Sequence, residues 1–204
     1  MISPVNELKF VTINKLIPYD RRFSIIFYYE IKIAYFLIPK NAHYSIMESF
    51  KPNKFKGICD LNYFRFPVRN FFNFVFLRNP VDRFISAYKD KVIENSHLGA
   101  LPECKGMSLD QFIEYCEGID LTKSDRHIRK QLTFFNPKEM HFIGTIENYE
   151  HDLRLLSNIL DRDLAYYHNH RTKLILKPNH DQFKKILNLF YEDYKFWEDI
   201  YNGF

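Results

Sequence analysis

Cysteine is scarce: Cys59, Cys104 and Cys116 are the 3 in the chain, odd in number and without a Cys-x-x-Cys spacing. That argues against a disulfide framework and a structural zinc site, and makes a reducing compartment the expectation. No apolar run approaches the roughly 20 residues of a membrane span, and the N-terminus lacks a basic-then-apolar leader pattern. The expected setting is soluble and cytoplasmic. There is no internal repeat, low-complexity tract or domain linker, and no GxxxxGK[ST] nucleotide loop. No carboxylate cluster calls for a metal.

Aromatic residues, by contrast, are abundant, with 21 Phe and 14 Tyr. A chain of 204 residues fits one domain, here residues 1–204, and can bury a large core that absorbs many of these rings. The formal net charge of +4 suits an anionic ligand but is too small to imply nucleic acid.

The stretch from Tyr35 to Ile46, YFLIPKNAHYSI, organises the rest. Four apolar residues suit a short strand buried on both faces. Pro39 should end it, because proline cannot donate to a ladder. From Ser45 onward, Ile46, Met47 and Phe50 give the spacing of an apolar helix face. A strand feeding a tight loop into a helix N-terminus collects backbone N–H groups and the positive end of the helix dipole at one place. Lys40 and Ser45 would add a cation and a hydroxyl.

A second stretch repeats the design. Phe74–Leu77 is a buried strand, Asn79 a helix cap and Pro80 the first helical residue. Val81, Phe84, Ile85, Tyr88 and Val92 then form an amphipathic face. Arg78 at the strand end and Ser86 about two turns into the helix could grip one phosphate from two sides. Asp82, Arg83 and Lys89 read as surface or ion-pair residues.

Elsewhere, Phe10–Ile13 and Phe23–Tyr29 look like strands, the latter in a hairpin turning near Glu30 or preceding a separate strand. Residues 51–72 form a long irregular connection. Ser108 caps a helix through about Cys116. Ser124 or Asp125 could cap a helix carrying His127, Arg129 and Gln131. His141–Ile146 is strand-like, and Glu147–Leu160 is helical with Leu153, Leu156, Ile159 and Leu160 buried. After a basic loop, one helix spans about 180–201. Strands interleaved with helices predict an α/β fold, a single domain with a central, mainly parallel sheet flanked by helices. Ligands in such sheets lie beyond the strands' carboxyl ends.

These stretches also resemble a known family. IPKNAHYSI resembles the 5′-phosphosulfate loop of sulfotransferases that use PAPS (3′-phosphoadenosine 5′-phosphosulfate). FVFLRNPVDRFISAYKDKV resembles their 3′-phosphate motif, in the form found in Golgi-type carbohydrate sulfotransferases and their bacterial relatives. SDRHIRKQ and FIGTIENYEHDL are similar to the family's Asp-x-His-x-x-x-Gln and Phe-[IV]-Gly-x-x-Glu segments. His43 and Tyr44 depart from the pattern, standing where a small residue and a threonine are common.

The resemblance implies a P-loop-like PAPS-binding core. Lys40 would contact the 5′-phosphate and bridging oxygen. Asn41, Ala42, His43, Tyr44, Ser45 and Ile46 would supply loop N–H groups, and Arg78 and Ser86 would bind the 3′-phosphate. PAPS and its product PAP would be the nucleotide partners, with no metal, and a hydroxyl-bearing carbohydrate or glycolipid the acceptor. Three residues are candidates for the general base, in the order His127, His43 and Glu48. Arg171 and Lys173 could neutralise the sulfate or an acidic acceptor, and an aromatic-rich surface could support a homodimer. The alternatives are a phosphotransferase, which would want glycines before its lysine and carboxylates for Mg²⁺, and a non-catalytic module binding anionic glycans or nucleic acid through the basic loop at 168–177.

Overall fold

The computed structural model describes residues 24–50, 58–59, 68–94, 101–167 and 176–203. The expected strand at Phe10–Ile13 and the basic pair Arg171 and Lys173 lie outside those residues, as do most of the loop at 51–72 and part of that at 161–178.

Five strands form one sheet in the order β3-β1-β2-β4-β5. They are β1 (Ser24–Tyr28), β2 (Ile33–Leu37), β3 (Ile58–Cys59), β4 (Phe72–Leu77) and β5 (Phe142–Thr145). A 3₁₀ turn at Tyr29–Ile31 folds β1 and β2 into an antiparallel hairpin, with Lys32 in a left-handed conformation closing it. β2 pairs parallel with β4, and β4 with β5. Since β3 is antiparallel to β1, four of the five strands point the same way. This is the mainly parallel α/β sheet expected.

Period-two alternation assigns the strand side chains to two cores. Ile26, Tyr28, Ile33, Tyr35, Phe74 and Phe76 pack with residues of helices α1 (His43–Phe50) and α4 (Tyr149–Leu160). Ile25, Phe27, Ala34, Phe36, Val75 and Leu77 pack with Phe134, Phe135 and Trp197. The aromatic surplus is absorbed here: Tyr35 stacks on Phe74, and Tyr28 on Phe50. Gly144 lies opposite Phe76 in the sheet, and a Cβ there would sit 2.6 Å from the Phe76 ring. The glycine is a packing requirement.

A third, helical cluster joins α2 (Pro80–Tyr88), α3 (Leu109–Glu117) and α5 (His180–Leu189) through Phe84, Phe112 and Ile186. Asn79 caps α2, accepting from the N–H groups of Val81 and Asp82, and Ser108 caps α3 in a reciprocal box with Gln111. Both caps were legible in the sequence.

Three expectations need correction. The C-terminal helix is two helices, α5 and α6 (Tyr191–Asn202), broken at Phe190, whose ring is buried in the helical cluster. Ile159, expected to be buried on α4, is 54% exposed. The segment 124–131 is no helix: it makes single turns and reaches only a 3₁₀ turn at Gln131–Thr133. Asp125 does cap, but for one turn, its carbonyl accepting from the N–H groups of Ile128 and Arg129.

A basic turn held between two parallel strand ends

Because β2 and β4 are parallel neighbours, the turns after Leu37 and Leu77 emerge side by side. The first turns sharply without glycine: Lys40 has φ 72° and Ala42 φ 50°, both left-handed. Such a backbone costs about 1–2 kcal/mol per non-glycine residue, so surrounding contacts must hold it. They do. Arg78 Nη1 donates to the Lys40 carbonyl at 2.9 Å. Asn41, fully buried, donates from Nδ2 to the Phe76 carbonyl at 2.9 Å and to Gln131 Oε1 at 2.7 Å. Gln131 also accepts the Arg78 N–H and donates to the Arg78 carbonyl at 2.8 Å. One glutamine thus ties both turns together.

Arg83 is the clearest correction among the side chains. Read as a helix-surface residue, it is 1% exposed and donates to three main-chain carbonyls: Pro39 (3.1 Å), Arg129 (2.7 Å) and Arg126 (3.1 Å). Burial lowers its pKa to about 10, so it stays protonated at neutral pH. Glu147, read as a helix-start residue, accepts the Asn79 N–H at 2.8 Å and the Trp197 indole N–H at 2.9 Å. Asp193 on α6 accepts the N–H groups of Gln131 (2.5 Å) and Leu132 (3.1 Å). Its one sequence signal was a charge on the buried stripe between Phe190 and Trp197.

The Ile46 N–H closes the first helical bond, onto the Ala42 carbonyl, and the Asn41 N–H donates to Ile38. The N–H groups of residues 42–45 therefore precede the ladder of α1, and those of Asn41 and Ile46 are engaged by main-chain carbonyls. Ile46 is a core residue, Ser45 is buried, and Tyr44 is 56% exposed with its ring 4.2 Å from that of His43. Ser86 is half-buried on α2, and Glu48 is half-buried on α1.

Lys40 Nζ rests 2.9 Å from Asp90 Oδ2, and Lys91, almost wholly buried, reaches the same oxygen at 2.9 Å. Burial pushes the pKa of Lys40 down, Asp90 pushes it back up, and Lys91 and Arg78 lower it. Arg78 is likewise lowered by burial, partly offset by Asp82 and Glu147. His43 is driven down to about 4 by burial, then by Lys40, Arg126, His127 and Lys91. Lys40, Lys91, Arg126 and His127 thus all act on His43. His127 Nδ1 lies 2.7 Å from Asp125 Oδ1, which also accepts the His127 N–H. Its pKa falls through burial, against the pull of Asp125. For Asp125, burial acts upward but is outweighed by the His127 ring and N–H and by Arg126, and its pKa falls.

Among the described residues, cations outnumber anions around this turn, and the layout suits a polyanion at the carboxyl ends of parallel strands. Residues 25–201 match the profile of the Sulfotransferase family. The chain belongs to that family, whose general chemistry is sulfuryl transfer. No curated protein and no solved structure was found to match it. Among the described residues, no helix is long and apolar enough to cross a membrane, and no group of three His, Cys, Asp or Glu side chains could hold a metal ion.

Proposed function

We propose that the chain, as one domain, transfers a sulfuryl group from PAPS to a hydroxyl of a carbohydrate or glycolipid. The observation that carries this reading is the Arg78–Lys40 contact, which fixes two cationic turns side by side. PAPS carries phosphate at two separated positions, and this chain offers two separate grips. The N–H groups of 42–45 and Lys40 suit the 5′-phosphosulfate, and Arg78 with Ser86 suits the 3′-phosphate.

Bound PAPS supplies a sulfuryl group on a good leaving phosphate. The acceptor oxygen forms a bond to sulfur as the sulfur–oxygen bond to the 5′-phosphate breaks, and the electron pair departs with PAP. Lys40 places an ammonium where that negative charge develops. The acceptor proton goes to a base. His127 is the first choice because Asp125 holds Nδ1, so that Nε2 is the nitrogen left to take a proton. His43 is the second, already neutral at pH 7, its basicity lowered first by burial and then by its cationic neighbours, whose share a bound anion would offset. Positioning and charge stabilisation carry most of such a transfer. Cys104 and Cys116, buried and unpaired with each other, fit a reducing, cytoplasmic setting.

The test is transfer of labelled sulfate from PAPS to a panel of carbohydrate and glycolipid hydroxyls. Label on an acceptor hydroxyl supports the reading. Donor binding with no transfer to any hydroxyl would overturn the acceptor class.

A further inference from the structure

Asp90 has no part in the reading above, yet it is the anion that Lys40 meets. It stands on a π-helical turn, Lys89–Ile93, that continues α2, with the Glu94 N–H donating to the Lys89 carbonyl. Single wide turns of this kind recur at functional sites. Here the turn keeps Lys91 and Val92 buried while Asp90, one-fifth exposed, faces the basic turn. Both ammonium groups converge on one carboxylate oxygen, at 2.9 Å each.

The groups facing Lys40 come from several elements: Asp90 and Lys91 from the π-turn, Arg78 from the end of β4, and His43 from α1. Asp90 is the anion among them. Without it, the charged groups left facing Lys40 among the described residues would include Lys91 and Arg78, in a half-buried place where burial already disfavours its charge. Its side chain would also lose the contact that fixes its direction.

We infer that Asp90 is a positioning residue for the transfer, holding the Lys40 ammonium beside the donor turn against the neighbouring cations. The inference rests on the proposal that Lys40 serves a sulfuryl donor. Asp90 need not touch that donor. Being an anion beside an anion site, it opposes nucleotide binding while keeping Lys40 charged for turnover. This gives it a signature unlike that of a merely structural residue.

The experiment compares wild type with Asp90→Asn and Asp90→Glu by PAP titration, by kcat and KM with PAPS across pH, and by NMR titration of isotopically methylated lysines. Melting temperatures serve as a check on folding. In Asp90→Asn, PAP binding should stay equal or tighten, and kcat should fall about tenfold or more. The alkaline limb of kcat and the Lys40 titration should both move down by about one pH unit, the effect of losing an opposite charge in contact. Asp90→Glu should restore much of kcat. Unchanged kcat and an unmoved Lys40 titration overturn the inference. Equal losses in PAP affinity and kcat with an unmoved alkaline limb also overturn it, by making the role structural. The NMR titration needs no donor, so a wild type that binds no PAP overturns the donor reading, while a Lys40 shift in Asp90→Asn would still uphold the coupling.

Discussion

Arg78 Nη1 donates to the main-chain carbonyl of Lys40 at 2.9 Å, so the end of one strand holds the turn at the end of its parallel neighbour. The two stretches singled out in the sequence are therefore one structural unit. Arg78 has two further links to the same unit, because its N–H and carbonyl both bond Gln131, which also accepts from Asn41.

Lys40→Ala should cut turnover more than nucleotide affinity. An ammonium that meets charge developing on a leaving oxygen acts mainly in the transition state. Steady-state kinetics beside PAP titration separate the two effects. Equal losses would make Lys40 a binding residue only.

His127→Ala should lower turnover about 10²–10⁴-fold with PAP binding intact, the range for loss of a general base. The variant should still fold, with a lower melting temperature because Asp125 loses its ring partner. A variant that keeps most of its activity would transfer the base role to His43.

His43 gives a pH prediction. Its pKa in the folded protein, about 4, lies below the ordinary 6.5. Between those values the unfolded chain takes up a proton that the folded chain does not, so stability is fully present above about pH 6.5 and falls as pH drops towards 4. The loss from this residue is up to roughly 3 kcal/mol. Urea unfolding at pH 7 and pH 4.5 should show a smaller acid loss in His43→Gln than in wild type. Parallel losses would place the His43 titration near its ordinary value.

Gly144→Ala should destabilise the fold by about 1–3 kcal/mol, since the new methyl would press on the Phe76 ring in the sheet. Chemical denaturation measures this directly. Unaltered stability would mean that the ring can move away at little cost.

Features set by near neighbours in the chain were legible beforehand. The caps at Asn79 and Ser108, the two-faced burial of β2 and β4, and the strand–turn–helix of residues 35–50 each follow from a few adjacent side chains. Arg83 was misread because its three acceptors, Pro39, Arg126 and Arg129, are more than forty residues away in the chain. Asp90 and Asp193 escaped for the same reason: each takes its meaning from partners across the molecule. The segment around His127 carried capping residues and suggested a helix, but the Arg129 side chain folds back to the Ser124 carbonyl and closes a compact turn. Nothing between residues 180 and 202 is glycine or proline, so the break at Phe190 had no local mark. On either side of it the chain serves different cores, Ile186 and Phe190 packing in the helical cluster and Trp197 against the sheet.

Calorimetric titration with PAP, with ATP plus Mg²⁺ as comparison, tests the central claim that the two joined turns form one donor site. The account predicts micromolar PAP binding, much tighter than ATP, and weakened in Arg78→Ala by on the order of 1.5–3 kcal/mol, the range for a hydrogen bond to a charged group. A folded wild-type protein that takes up no PAP, or an Arg78→Ala variant with undiminished affinity, would contradict it.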